Sequence, residues 1–218
     1  MPLYWILVFP LALLWSGLRP HGGLTWLLDA LPAIAAFVAL VMTRRRFALT
    51  PVSYALLLVL CLLILAGAHY SFSRVPLFNE LKPWLGTERN DFDKLAHFFQ
   101  GFAPALVLRE ILIRFEVLAK RSWLWVVVVG LSLALSATYE LVEWWAALIL
   151  RERAEDFLAI QGDPWDTQSD MAAALLGALC AVVMLGRLQD RQISRLIGTD
   201  RGESPIRGLP DDRRAGPS

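Results

Sequence analysis

Long apolar runs separated by short polar links dominate the hydrophobic pattern of this chain. Six runs approach the roughly 17–25 residues that a helix needs to cross a bilayer. The predicted spans are residues 3–18, 24–42, 52–70, 95–113, 123–150 and 171–188. The first is short and lacks the basic leader and cleavage site of a signal peptide, so we treat it as a retained span. The pattern predicts an all-α, polytopic integral membrane bundle of about six transmembrane helices.

Basic residues on alternate links predict the orientation of these spans. They cluster in the links after spans two and four and in the segment after span six: Arg44, Arg45, Arg46, Arg114, Lys120, Arg121, Arg187, Arg191 and Arg195. The opposite links are balanced in charge at 71–94 and acidic at 151–170. Because positive charge marks cytoplasmic loops, both termini are predicted to be cytoplasmic.

The composition supports one membrane domain and indicates which kinds of binding partner to expect. Of 218 residues, 56% are hydrophobic, and the 21 basic residues are almost balanced by 20 acidic ones. Membrane lipid is therefore the expected partner, and no nucleic acid is expected. The two cysteines form neither a disulfide framework nor a zinc motif. Residues 198–218 are rich in Gly, Pro, Arg and Asp and predict a disordered cytoplasmic tail after a membrane domain at 1–197.

Three polar blocks interrupt the apolar pattern, at residues 93–101, 139–145 and 161–170. Each block lies at the predicted outer end of a span, so we predict that the three form one site facing the periplasm. Ionisable residues at membrane depth are costly and are functional by default. Asp93, His97 and Gln100 share one helical face because they are spaced i, i+4 and i+7.

Carboxylates together with an imidazole are the ligand set of a divalent metal, and they also serve in acid–base catalysis. A divalent metal is therefore the cofactor compatible with this site. The candidate metal ligands are His97, Glu140, Glu143, Asp166 and Asp170. The candidate catalytic residues are His97, Glu140, Glu143 and Asp170. Asp93, Gln100, Asp163 and His69 are predicted to support them from a second layer.

Structural roles are open for the same side chains. Asp163 before Pro164 has the pattern of a helix N-cap, and Asp93 is placed to cap the fourth span. Lys94 can pair with a nearby acid, His97 can be a packed polar residue, and the glutamates of span five can bond across helices. Glu110 lies about 20 Å deeper than His97 by helical rise and is predicted to pair with Arg114 instead.

The absence of certain motifs argues against several classes of protein. The chain has no Gly-x-Ser-x-Gly elbow, no His-Glu-x-x-His pair and no phosphate-binding glycine loop. Serine hydrolases with the usual elbow, zincins and nucleotide-driven pumps are therefore disfavoured, and no nucleotide partner is expected.

The polar blocks resemble the YjdF-like family of bacterial inner-membrane proteins of unknown function. The resembling stretches are GAHY at 67–70, RNDFDKLAHFFQGF at 89–102, RE at 109–110, SATYELVEWW at 136–145, FLAIQGD at 157–163 and WDTQSDM at 165–171. Ala159 departs from the glycine that the family pattern leads us to expect. The resemblance implies a multi-pass protein of the bacterial cytoplasmic (inner) membrane and no established activity.

A looser likeness concerns Asp93-Lys94-x-x-His97-Phe98, a later glutamate, and Asp166-x-x-x-Asp170 followed by Gly177. This arrangement is similar to VanZ-like membrane proteins, a group associated with glycopeptide resistance, and it serves only as an analogy.

Three functions are compatible with these observations. The first is a metal-dependent enzyme acting on a lipid or lipid-linked envelope substrate, which requires the outer ends of spans four, five and six to converge. The second is a proton- or ion-coupled transporter, which requires a polar path to the cytoplasm through Arg109 and Glu110. The third is a structural or accessory membrane protein whose acids cap and pair helices.

Overall fold

A computed structural model describes residues 1–150 and 160–200, and the regular structure in these residues is helical. The α-helices are α1 (Leu3–Gly17), α2 (Gly23–Thr43), α3 (Pro51–Tyr70), α4 (Pro76–Leu85), α5 (Phe92–Arg114), α6 (Leu124–Leu150) and α7 (Asp166–Asp200). Short 3-10 turns occur at Phe72–Arg74 and Arg121–Trp123. Helices α2, α3, α5, α6 and α7 are long and apolar enough to cross a membrane. The prediction of an all-α polytopic membrane bundle is confirmed.

The first predicted span is shorter than the others. Helix α1 has 15 residues, fewer than the roughly 17 that usually cross the hydrocarbon. It nevertheless packs on α3 inside the bundle, where Trp5 Nε1 donates to the Tyr54 carbonyl oxygen at 2.9 Å. Ser16 Oγ donates to the Leu65 carbonyl oxygen at 2.6 Å and accepts from Trp26 Nε1 at 2.9 Å. These bonds connect α1 to both α2 and α3.

Helix α4 lies in the outer link 71–91, where the hydrophobic pattern predicted no element. Pro76 opens the helix at a position where its missing N–H costs no bond. Gly86 ends it in the left-handed conformation, with φ of 66°. Leu77 and Trp84 are exposed, as expected for a short helix lying at the membrane interface.

Helix α7 is longer than the predicted sixth span at both ends. It begins at Asp166 rather than 171, and it continues to Asp200 rather than ending at 188. The extension is stable because it packs against the inner ends of other helices: Gln189 and Ile193 are buried, and Gln192 Oε1 accepts from the Val52 N–H at 3.0 Å. Of the predicted disordered tail at 198–218, residues 201–218 lie outside the described residues.

Helix α5 is the centre of the bundle. It packs on α3 and α6, and most extensively on α7. The crossing with α7 is close because Gly101 faces the backbone of Ala174, and Gly177 faces the backbone of Phe98. Asp93, His97 and Gln100 of the predicted site are carried on α5, so its packing sets their positions.

The inner end of α5 carries a buried carboxylate. Glu110 is 0% exposed, and its two oxygens accept the Thr50 N–H at 2.9 and 3.0 Å. The hydroxyls of Thr50 and Ser53 also donate to it. Arg114 pairs with it at 3.1 Å, as the i, i+4 spacing predicts. Glu110 thus caps the first turn of α3 from another helix.

The predicted orientation can be tested by labelling single cysteines in intact cells. Glu80 on α4 and Arg45 after α2 are both exposed and lie at opposite ends of the bundle. We expect Glu80→Cys to react with a membrane-impermeant maleimide, and Arg45→Cys to react only after the membrane is permeabilised. The unsubstituted chain is the control, since Cys61 is buried and Cys180 is half-buried. The reverse labelling pattern would place the polar site on the cytoplasmic side.

Candidate functional site

The three polar blocks converge at one end of the bundle. The stretch before α5 is joined to the stretch before α7 by paired bonds: the Asn90 N–H donates to Gln161 Oε1 at 2.8 Å, and Gln161 Nε2 donates to the Asn90 carbonyl oxygen at 3.0 Å. Asn90 is fully buried, and its side chain bonds to the Val75 carbonyl oxygen and to Asn79. These bonds hold the starts of α5 and α7 side by side.

Two basic residues connect the aspartates of α7 to α5. Arg89 contacts Asp163 at 2.9 Å and Asp166 at 2.6 Å. Lys94 contacts Asp166 and Asp170, each at 2.9 Å, and also donates to the Ser169 hydroxyl. Lys94 therefore pairs with acids as predicted. Arg89 also contacts Asp91 at 3.3 Å, so the two basic residues of this network contact four aspartates.

Arg89 stays charged within this network. Burial lowers the pKa of its guanidinium, but the hydrogen bond to Asp166 and the charges of the nearby aspartates outweigh burial. The pKa of Arg89 is therefore raised above its usual value, as expected for a base among several acids. Its neutralising charge persists over the whole range in which proteins are stable.

His97 lies at the centre of a second group of acids. Its side chain is 5% exposed, with Nε2 3.6 Å from Asp93 Oδ1 and Nδ1 3.7 Å from Glu140 Oε1. Both distances are longer than a normal hydrogen bond. His97 Nδ1 and Glu140 Oε1 are buried and have no hydrogen-bond partner among the described residues. Tyr139 meets the His97 ring edge-on, with 6.2 Å between ring centroids.

Two overlapping sets of side chains could hold a metal ion. One is Asp93, His97 and Asp170; the other is His97, Glu140 and Glu143, and in each set the ligand atoms lie within 4.8 Å of one another. Asp170 in the first set already accepts from Lys94. The second set contains the two unpartnered atoms, so it is the better cation site of the two.

Asp166, a predicted metal ligand, lies in neither set. Arg89 and Lys94 both contact its Oδ1. The capping pattern placed the first helical residue at Pro164, but α7 begins at Asp166, and Asp163 Oδ1 accepts the Trp165 N–H at 2.9 Å in the turn before the helix. Asp93 makes no capping bond, since α5 has no side-chain cap among the described residues and Asp93 faces His97 instead.

The two remaining second-layer candidates are in different places. Gln100 lines the same cavity as His97, and its Oε1 is buried without a partner among the described residues. His69 instead stacks on Trp15, with centroids 4.6 Å apart, and its Nδ1 is 3.0 Å from the Ser16 carbonyl oxygen. These contacts join α3 to α1, so His69 is a packing residue rather than a neighbour of His97.

Three residues near the site were not among the predicted site residues. Arg89 contacts several aspartates of the site. The cluster of aspartates at 163–170 was a signal for such a residue, because clustered acids need a basic partner. Tyr139 lines the cavity beside Glu143, and it precedes Glu140 in the second polar block. Asp29 on α2 is 4% exposed, and it lies close enough to Asp93 for the two carboxyl groups to interact electrostatically. Its isolated position in an apolar span was the available signal.

Comparisons with known proteins identify the family. The model of the predicted membrane protein family DUF2238 matches residues 1–191, so the chain belongs to this family. The inner membrane protein YjdF of Escherichia coli (strain K12) is 47% identical over 189 residues, which cover 87% of this chain and 90% of that protein. No solved structure matches. The predicted YjdF-like family and the location in a bacterial inner membrane are confirmed.

Proposed function

We propose that this member of the DUF2238 family is a metal-dependent membrane enzyme acting at its outer face on a lipid or lipid-linked envelope substrate. One observation carries the proposal: His97 Nδ1 and Glu140 Oε1 are buried 3.7 Å apart, and neither has a hydrogen-bond partner among the described residues. Leaving buried polar atoms unsatisfied costs about 1–3 kcal/mol each. A cation between the two atoms would remove that cost.

The geometry of this pair suits two ligands of one ion. Nitrogen and oxygen ligands lie about 2.0–2.1 Å from zinc, so a tetrahedral angle separates them by about 3.3 Å. The observed 3.7 Å is close to that separation, and Glu143 offers a third ligand atom within 4.8 Å. Asp93 faces the other ring nitrogen, as carboxylates often do behind a ligating histidine.

Charge balance also favours a cation. Lys94 and Arg89 contact Asp163, Asp166 and Asp170, whereas Glu140 and Glu143 have no salt bridge to lysine or arginine among the described residues. Buried charges in proteins are normally paired or coordinate metals. A divalent ion at His97, Glu140 and Glu143 would neutralise both glutamates.

A bound divalent ion would polarise a carbonyl or phosphoryl oxygen of the substrate. The chain's own residues then have distinct tasks. Asp93 would orient the His97 ring, and Lys94 would hold the Asp170 carboxylate within 4.8 Å of His97, where it could accept a proton. The position at the outer ends of α5, α6 and α7 supports a substrate from the outer leaflet.

The transporter alternative has less support. At the inner end of α5, Glu110 accepts from Thr50 and Ser53, and Arg109 bonds to Gln189 and Asp190. A side chain on an ion path must bind and release the ion, and several fixed hydrogen-bond partners would hinder that exchange. The structural alternative does account for Asp163, Asp166 and Asp170, whose bonds connect α5 to α7.

Metal content of the purified protein tests the proposal. We expect detergent-purified parent protein, dialysed against zinc or manganese and then freed of excess, to retain about one ion per chain by mass spectrometry. His97→Ala and Glu140→Gln should lose it, because each removes one ligand of a three-residue set. Exposed residues provide matched controls: His21→Ala and Glu80→Gln should keep the ion. A parent without metal, or a His97→Ala variant with the full amount, would refute the site.

The enzymatic part needs a second measurement. Metal-loaded parent protein and its His97→Ala variant are incubated with an extract of bacterial envelope lipids, and the products are compared by mass spectrometry. We expect at least one lipid to be converted by the parent alone. Tight metal binding with no lipid converted would leave a structural metal site and reject the enzyme.

A further inference from the structure

A cavity of about 230 Å³ opens beside the outer site, between α2, α3, α5 and α6. Its polar end is formed by Asp93, His97, Gln100, Tyr139 and Glu143. The rest of its wall is apolar and includes Pro32 and Ala36 on α2, Leu57 and Ile64 on α3, Pro104 on α5 and Leu135 on α6. The cavity therefore has a charged end and a hydrocarbon end.

The apolar end extends towards the middle of the membrane. On α5 the lining runs from His97 to Pro104, and on α3 it runs from Ile64 to Leu57. Seven residues of helix rise by about 10 Å. Since His97 lies near the outer end of α5, the cavity follows the membrane normal inwards over about that length.

One side of the cavity is bounded by helices that do not pack closely on each other. Helix α2 packs on α3, and α6 packs on α5 and α7, but α2 and α6 are not a closely packed pair among the described residues. Pro32 and Ala36 of α2 face Leu135 and Tyr139 of α6 across the cavity. A chain from the surrounding bilayer could enter between these two helices.

The size indicates a single chain. A protein cavity of about 150 Å³ holds a molecule as large as benzene, whereas drug-sized ligands usually occupy about 300–1,000 Å³. A cavity of 230 Å³ lies between these limits. It has room for a segment of one alkyl chain and not for the two chains of a phospholipid side by side.

We infer that this cavity binds the apolar chain of a single-chain amphiphile, with the anionic head of that molecule at His97 and Glu143. Binding of the anionic head rests on the proposed cation site, because Asp93 and Glu143 would repel an anion unless a divalent ion lay between the anion and these acids. Binding of the apolar chain rests on the apolar wall of the cavity alone. Octyl phosphate and octanol are probes that separate the two halves.

Filling the cavity is the direct test. Ala36 lines the cavity on α2, and its neighbour Ala35 is exposed and does not line it. In zinc-containing buffer and a steroidal detergent, native mass spectrometry should show one octyl phosphate per parent chain. We expect Ala36→Phe to weaken the binding of both probes at least tenfold while keeping its zinc. Ala35→Phe should bind both probes within twofold of the parent.

The outcomes distinguish this inference from the proposed function. If His97→Ala loses zinc and octyl phosphate but still binds octanol, both are supported. If the parent holds no zinc yet octanol binding is lost in Ala36→Phe, the chain site stands and the metal site fails. Equal binding of octanol to the parent and to Ala36→Phe would overturn the chain site whatever the metal content.

A measurement on the unsubstituted chain covers the case in which Ala36→Phe does not fold. An eight-carbon alkyl phosphate with a photoreactive group at its chain end should crosslink to cavity-lining residues of α3, namely Leu57, Leu60 or Cys61. Crosslinks confined to exposed residues such as Val59 would show that the chain stays in the detergent and would reject the inference.

Discussion

Gly177→Ala is expected to destabilise the membrane domain by about 3 kcal/mol, because α5 and α7 cannot approach each other once a methyl group stands between them. A Cβ on Gly177 would lie 1.9 Å from the Phe98 carbonyl oxygen. A Cβ on Gly101 would lie 1.8 Å from the Ala174 carbonyl oxygen on the opposite side of the same crossing. Both obstacles are backbone atoms of packed helices, so neither can move aside without separating the helices.

Thermal melting and SDS titration of the detergent-purified protein measure this effect. We expect Gly177→Ala and Gly101→Ala each to lower the melting temperature by roughly 10 °C. Gly130→Ala on α6 is the matched control, since nothing lies within 4 Å of its added Cβ. There the change should be neutral or stabilising by up to about 1 kcal/mol, because alanine favours the helix. Equal melting temperatures of Gly177→Ala and the parent would show that α5 and α7 are far enough apart at Gly177 to accommodate a methyl group.

The same crossing controls the site. Lys94 and His97 lie on α5, and Asp170 lies on α7 about two turns before Gly177. Separating the helices would therefore lengthen the contacts of Lys94 with Asp166 and Asp170. Gly177→Ala is therefore expected to weaken these ion pairs together with the stability of the domain.

Glu110→Ala should be at least as damaging, with an expected loss of about 3–5 kcal/mol. The substitution would leave the Thr50 N–H and the hydroxyls of Thr50 and Ser53 without their acceptor. It would also leave the Arg114 guanidinium without its carboxylate, although this group keeps a bond to the Ala48 carbonyl oxygen and lies over the Phe47 ring. Breaking a buried pair from one side costs more than the pair contributes.

A neutral variant of Glu110 separates the effect of losing the hydrogen-bond acceptor from the effect of losing the charge. Glu110→Gln keeps an oxygen acceptor for Thr50 but loses the ion pair, so we expect a smaller decrease of about 1–3 kcal/mol. Glu88→Ala, an exposed glutamate in the outer link, should change stability by less than about 0.5 kcal/mol. Stability of Glu110→Ala equal to the parent would mean that Thr50 and Arg114 find other partners.

Much of the fold and part of the site could be predicted from the sequence. The spans are visible because each helix that crosses a bilayer must be apolar over its own length, which is a local property. The polar blocks stand out for the same reason, since a charge at membrane depth is rare. Their shared location at one end follows from counting alternate spans.

Roles within the site could not be assigned in the same way. In the sequence, the acids Asp163, Asp166 and Asp170 look equivalent to the two glutamates of α6. In the structure these aspartates contact Arg89 and Lys94, while Glu140 Oε1 is unpartnered among the described residues. His69 appeared to belong to the site by its depth, but it stacks on Trp15. The depth of a residue in the membrane follows from its position along the helix. The direction in which its side chain points depends on how that helix is rotated in the bundle.

The sequence by itself therefore determined the class of protein, the five long helices that can cross the membrane and the family. The class and the helices depend on composition within single segments, and the family depends on polar motifs that are read directly along the chain. Only the tertiary structure decided which acid has a base beside it, which atoms of His97 and Glu140 are unpartnered, and where the cavity lies. Those features arise from contacts between helices far apart in the chain, and the small residues at the α5–α7 crossing set how closely the helices approach.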